Sequence, residues 1–331
     1  GSSLAGAPRP AAVGGPEVSV VAARFAGGKG TMRYIEGEGR IVWSASDLKA
    51  AAECEFAWLR AIDARLGRVP AVVEPDDETL KRAGRLGTVH EQNVLADYVA
   101  EFPGRVQQIP EARSSDAAAL ADAVARTDAA LVSDAAVIYQ AAFSTDDFVG
   151  FADFLVRDPD GRWVVQDTKL ARHARVTALM QLAAYVDQLD RLGIARADRV
   201  ELLLGDGSVS THQVDDLLPV FRLRRDRLAA LVADRRLDLG AEGAPIAWGD
   251  DRGELGVVAC GRCATCDAEV VATRDLLLVA GMRPVQRERL RAAGIPSIDA
   301  LASAAEPPAR MNPDVFAMLQ TQARLQLESP A

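Results

Sequence analysis

The sequence predicts an α/β protein with a helical C-terminal appendage, and three observations carry that expectation. First, runs rich in Val, Phe, Leu and Trp flank Asp158-Pro159-Asp160-Gly161. Proline presets φ there and glycine supplies a positive φ, so the stretch from Phe148 to Tyr185 is expected to form strand, tight turn, strand and helix. Second, strand-like runs at 136–143, 200–204 and 208–214 alternate with helix-period stretches at 80–100, 117–131 and 215–236. Third, the pattern beyond Cys266 is helical as far as it can be followed.

In chain order, residues 1–30 open with Gly-Ser-Ser and are dense in Ala, Gly and Pro, which predicts an expression scar and a mobile tail. Val18–Val21 and Ile41–Trp43 are candidate edge strands. Ser44 or Ser46 is placed to cap a helix running through Leu48, Cys54, Trp58 and Ala61, with Asp47 favourable in its first turn. A linker around Pro70 and Pro75 leads to the helix that carries His90. Ala117–Leu131 is a helix feeding the strand before the hairpin, Gly193 closes the helix after it, and Gly240–Gly256 is a glycine-rich loop.

The 331 residues leave room for one large domain plus an appendage, and 49% hydrophobic with 26% charged residues describes a globular chain. No run reaches the length of a membrane span and no leader pattern is visible, so the expected compartment is the cytoplasm. A net charge of −9 excludes a broadly basic coat for nucleic acid. Local basic patches remain, notably Lys81-Arg82-Arg85, Arg172-His173-Arg175, and Arg222 to Arg227. The Arg172–Arg175 patch must lie close to the strand ending at Lys169.

The hairpin carries the chemistry. Asp153 is on its first arm; Asp167 and Lys169, two residues apart on the second, point to one face. Two hard oxygen donors beside an ammonium suit Mg²⁺ or Mn²⁺ and hydrolysis of a phosphodiester. The bland alternative is an Asp167–Lys169 salt bridge on a solvated strand. Gln181 and Tyr185, at i and i+4, share a face of the next helix.

The ordered set His90, Asp153, Asp167-Thr168-Lys169 and Gln181-x-x-x-Tyr185 resembles the RecB-like branch of the PD-(D/E)XK nucleases, over residues 40 to 270. That resemblance implies a restriction-endonuclease-like core, a mixed sheet flanked by helices. It also implies that His90, Asp153, Asp167 and the Thr168 carbonyl hold the divalent ion, that Lys169 is the catalytic lysine, and that Gln181 and Tyr185 support substrate or site. The activity implied is cleavage of DNA, single-stranded or with free ends, in repair or recombination, with Arg85, Arg172 and Arg175 as candidate DNA contacts. In related architectures the nuclease is fused to helicase or exonuclease modules. The rival expectation is a binding or assembly module on a catalytically silent nuclease fold.

Cys260-Gly-Arg-Cys263-Ala-Thr-Cys266 places three thiols in one short loop, with Cys54 available as a fourth. Soft thiolates at that spacing select an iron–sulfur cluster or zinc. One cysteine before and three after the core also resembles the iron–sulfur RecB-like nucleases, which implies a [4Fe–4S] cluster, with Zn²⁺ as the alternative. In those relatives the last two cysteines stand farther apart than here. The expected organisation is thus residues 1–30 as tail, 31–270 as a nuclease domain closed by the cysteines, and 271–331 as a helical region. Within the last, Gly281 and Gly294 resemble parts of a helix–hairpin–helix DNA-backbone binder, with Arg283-Pro284 where a second hairpin glycine is expected.

Overall fold

The computed structural model describes residues 32–35, 37–70, 78–113, 115–250 and 252–328. The expected tail, with Val18–Val21, and Pro75 of the expected linker lie outside the described residues. The described residues begin with an antiparallel pair, β1 (Arg33–Ile35) and β2 (Arg40–Val42), then α1 (Ala45–Glu53), α2 (Glu55–Arg65) and the long α3 (Glu78–Glu101). β3 (Val106–Gln108), α4 (Ala117–Leu131), β4 (Val137–Ser144), β5 (Val149–Arg157) and β6 (Trp163–Lys169) follow. Next come α5 (Val176–Arg191), β7 (Arg196–Leu204), β8 (Val209–Gln213) and α6 (Val214–Asp234). The chain ends in α7 (Ala264–Ala272), α8 (Pro284–Ala292), α9 (Ile298–Ser303) and α10 (Pro313–Glu328).

β3 to β8 form a six-stranded mixed sheet in sequence order. β3–β4 and β6–β7 are parallel, and the other neighbours antiparallel. A parallel pair needs a crossover, and α5 supplies it between β6 and β7. Alternation along the strands sends Val137 and Phe154 to α3, where they meet Leu95 and Tyr98. Ile138, Leu155 and Val165 go to the opposite face, into a core built with α1, α2, α4, α5 and α6. The helices therefore cover both sides of the sheet.

The hairpin forms where the turn residues demand it. Asp158 Oδ1 accepts the amides of Asp160 (3.0 Å) and Arg162 (2.8 Å), and Gly161 has φ +79. Trp163 opens β6 with the Arg157 guanidinium 4.1 Å above its ring. At the far end of the same strand, a Cβ on Gly205 would lie 2.5 Å from the Leu170 carbonyl oxygen, so only glycine lets β7 leave the sheet there.

One expected element divides. Ser44 caps α1 with a reciprocal bond to Asp47, as expected, but the helix stops at Cys54, whose φ of −164 is extended. The Cys54 sulfur then accepts the Ala57 amide at 3.4 Å and starts α2 afresh. The strand expected at 200–204 begins earlier, at Arg196, which pairs with Trp163 before a register shift in the parallel ladder with β6.

Residues 276–323 build a second apolar core of Leu276, Val279, Leu290, Ile298, Leu301 and Leu319, with other members. Asp275, 2% exposed, ties it to the preceding chain by accepting from Trp248 Nε1 (2.9 Å) and from both Nε and Nη2 of Arg287. No helix of the described residues is long and apolar enough to cross a membrane.

Candidate active site

The β5–β6 ladder carries its last backbone pair at Phe154 and Gln166. One step further along, Asp153 and Asp167 stand across from each other where the strands part. Thr168 turns its amide (3.0 Å) and hydroxyl (3.1 Å) onto Asp153 Oδ2 instead of onto a neighbouring backbone. Asp167 is 1% exposed, and neither of its carboxylate oxygens has a donor in hydrogen-bonding geometry. Its one close cation is the Lys169 ammonium, in an ion pair with Oδ2, and Lys169 is about a third exposed. The ion pair of the bland alternative therefore exists, but on a buried strand end and not on a solvated face.

Two carboxylates so placed cannot both ionise cheaply. Burial, and after it the charge of Asp167, pushes Asp153 up to about 7, with Lys169 and the Thr168 amide pulling the other way. Burial also raises Asp167, against the help of Lys169, and the charge of Glu91 adds to the rise.

Gln181 and Tyr185 sit beneath this pair. The Tyr185 ring packs 6.0 Å from Phe143 and 6.2 Å from Phe148, with its hydroxyl bonded by Gln181 and the Phe151 backbone. Burial, then the charges of Asp153 and Asp167, drive the phenol pKa up, so it stays a neutral prop. At 4% exposure it has little surface to offer a substrate. Gly150 makes room for the ring: a Cβ there would fall 2.8 Å from Tyr185.

α3 passes over the end of β6, close enough that a Cβ on Gly87 would touch Leu170. His90 does reach the sheet, but its Nε2 is 3.1 Å from the Leu203 carbonyl and must donate to it, leaving only Nδ1 for a ligand bond. Glu91 is the α3 residue whose charge is felt at Asp167. Its Oε1 accepts from the Tyr139 hydroxyl at 2.8 Å and from Gln140 Nε2 at 2.6 Å. Glu91, Tyr139 and Gln140 were not singled out from the sequence. The available signal was helical phase, since residues 90 and 91 are about 100° apart and only one can face the acids. No trio of His90, Glu91, Asp153 and Asp167 closes within 4.8 Å; among the described residues only the four cysteines do.

Arg85, Arg172 and Arg175 are exposed. Arg172 is near enough to Asp206 to favour its ionised form, and Arg175 precedes α5. Two arginines of α6 are engaged elsewhere: Arg225 binds Asp187 and Arg227 binds Glu55 in a two-toothed pair at 2.8 Å.

The four cysteines converge from the α1–α2 junction (Cys54), the loop leading into α7 (Cys260 and Cys263) and the first turn of α7 itself (Cys266). Cys54 Sγ lies 3.5 Å from Cys266 Sγ, Cys260 Sγ lies 3.9 Å from Cys266 Sγ, and all four sulfurs fall within 4.8 Å of one another. The Cys260 amide points at Cys54 Sγ (3.4 Å) and the Cys263 amide at Cys260 Sγ (3.3 Å), as donors to thiolates would. Burial opposes ionisation of Cys260, but the amides of Arg262 and Cys263 with the thiols of Cys263 and Cys54 hold it down at about 7. Burial raises Cys263 and Cys266. A single tetrahedral ion with sulfur bonds of about 2.3 Å sets its ligands about 3.8 Å apart. The spacing fits that arrangement. A [4Fe–4S] cube seats each thiolate on a different iron and spreads the sulfurs more widely.

No protein-family model matches the chain, and no curated protein matches it. Among solved structures it is similar to the crystal structure of a protein named "Putative exonuclease" from Eubacterium rectale. The two are 14% identical, the match covers 75% of this chain and 96% of that one, and the TM-score is 0.36. A likeness of that size carries no argument about this site.

Proposed function

We propose that the protein is a metal-dependent deoxyribonuclease built on a restriction-endonuclease-like core, residues 31–270, with 271–331 as a helical appendage. The observation that carries the proposal is Asp167: a carboxylate buried with no hydrogen-bond donor, facing a second acid. Two buried facing acids carry more negative charge than the single Lys169 ammonium answers, and a divalent cation would offset the remainder. The donors are all oxygen, which suits Mg²⁺ or Mn²⁺. Asp153, Asp167 and the Thr168 carbonyl would hold the ion, with Glu91 the α3 donor in preference to His90, whose Nε2 is spent on β7. Mg²⁺ keeps several of its waters, so a carboxylate set wider than direct-ligand distance still serves it. The ion, when bound, supplies a Lewis acid that activates water and offsets charge on the phosphate.

The chain's own residues do the rest. Lys169, partly exposed at the mouth, donates to the phosphate oxygen on which charge develops. Thr168 fixes the rotation of Asp153 through two bonds to one oxygen. Exposed Arg85, Arg172 and Arg175 would meet the DNA backbone. Single-stranded or end-containing DNA is the substrate that the motif resemblance implies.

For the cysteines, the same resemblance implies a [4Fe–4S] cluster. The sulfur spacing favours a single tetrahedral ion, and four thiolates prefer zinc, so we take that reading, with a structural role.

The test is cleavage of a labelled single strand with Mn²⁺, comparing the unmodified protein with Lys169→Ala. The variant is expected to retain DNA binding while losing about 10²–10³-fold in rate, and to melt lower without metal because the buried Asp167 loses its ion-pair partner. If neither protein cleaves and both bind DNA, the chain is a binding module on a silent nuclease fold.

A further inference from the structure

We infer that Gln140 is a positioning residue, held in a strained backbone conformation to aim the Glu91 carboxylate at the acid pair; this rests on the nuclease reading. Gln140 has φ +58, the left-handed region that residues with a Cβ avoid, and it lies in the middle of a β-strand. Its place is specific. The pairs Tyr139–Phe154 and Ala141–Ala152 flank it, so it stands across β4–β5 from Asp153 itself.

The backbone reversal has a geometric consequence. Successive strand residues normally point to opposite faces, so Tyr139 and Gln140 ought not to share a partner. Here both reach the same atom, Glu91 Oε1, at 2.8 Å and 2.6 Å. Gln92 Nε2 in turn donates to the Tyr139 hydroxyl at 2.9 Å, which turns that hydroxyl's proton toward Glu91. Two donors on one oxygen fix the rotation of a long, otherwise mobile side chain. A strained residue persists only where its surroundings over-determine it, and such residues gather at functional sites. A residue that served packing alone would not need an amide, nor a backbone inversion opposite a catalytic acid.

The test uses Gln140→Gly, which adopts positive φ at no steric cost and removes the amide, and Gln140→Asn, which tolerates the conformation but is one methylene too short. Two quantities are read on the full chain: the melting temperature without added metal, and the Mn²⁺ concentration for half-maximal cleavage. Gln140→Gly is expected to melt no lower than the unmodified protein, while both variants need about tenfold more Mn²⁺. A fall of several degrees in metal-free Gln140→Gly makes the residue a structural prop and overturns the inference. An unchanged Mn²⁺ requirement in both variants overturns it alone, with the nuclease reading intact. If the unmodified protein neither cleaves nor gains stability with Mn²⁺, the nuclease reading fails and takes this inference with it.

Discussion

Asp153→Asn is expected to abolish cleavage and yet to stabilise the metal-free protein at pH 8. The asparagine carbonyl can still accept the Thr168 amide and hydroxyl, so the local geometry survives. What disappears is one of two facing negative charges. The sign follows from linkage. An ordinary aspartate titrates near 4, whereas burial and the neighbouring Asp167 push Asp153 up to about 7. Between those values the folded protein holds more protons than the unfolded chain, so stability falls as pH rises through the window. Below about pH 4 the penalty is absent, and above about 7 it is complete. A shift of this size corresponds to on the order of 4 kcal/mol. Melting curves at pH 4.5 and pH 8 are thus expected to diverge more in the unmodified protein than in the variant, which melts higher at pH 8. Added Mn²⁺ should narrow that gap by raising the unmodified protein alone. A variant that melts lower at pH 8 would mean that the two acids are not repelling each other.

The second large effect is expected at the cysteines. Cys266 is fully buried, and its sulfur meets that of Cys54, 212 residues earlier. Joining points so distant closes a long loop, and a structural ion binding only the folded state adds its binding free energy to folding. For structural zinc that contribution is about 10–16 kcal/mol in small peptides, so even a fraction of it exceeds what most single substitutions change. Cys266→Ser is expected to lower the melting temperature by well over ten degrees, as stripping the unmodified protein with a strong chelator should. Elemental analysis of the purified protein is expected to give about one zinc per chain and no visible absorbance. A brown protein carrying iron would restore the cluster that the motif resemblance implies, and would mean that the sulfurs spread on loading.

Much of this was legible because local chemistry and tertiary structure agree. The Asp158–Gly161 turn, the α4 helix at Ala117–Leu131 and the Ser44 cap are fixed by residues within a few positions of one another. That Asp153, Asp167 and Lys169 lie together was legible because strand period and hairpin register are short-range properties. Cys54 was harder: nothing in the run from Ala45 to Arg65 forbids one continuous helix, and it breaks because the thiol is needed elsewhere. His90 was the expected α3 ligand and Glu91 was not weighed, since helix period relates the two but does not say which of them meets the acids. Gln140 could not be seen at all. Its left-handed backbone runs against every local preference and is explained only by partners on α3 and on the strand beside it. Failures of local reasoning gather around the acid pair and the cysteines, where residues serve the site before they serve their own element.

The central claim is that Asp153 and Asp167 are arranged for a divalent cation, and Mn²⁺ itself can report on it. In crystals soaked with Mn²⁺, diffraction recorded near the manganese absorption edge should give an anomalous peak between the two carboxylates, absent from Asp167→Asn crystals treated alike. Soaked crystals with no peak there, and the Asp167 carboxylate still paired only with Lys169, would contradict the account.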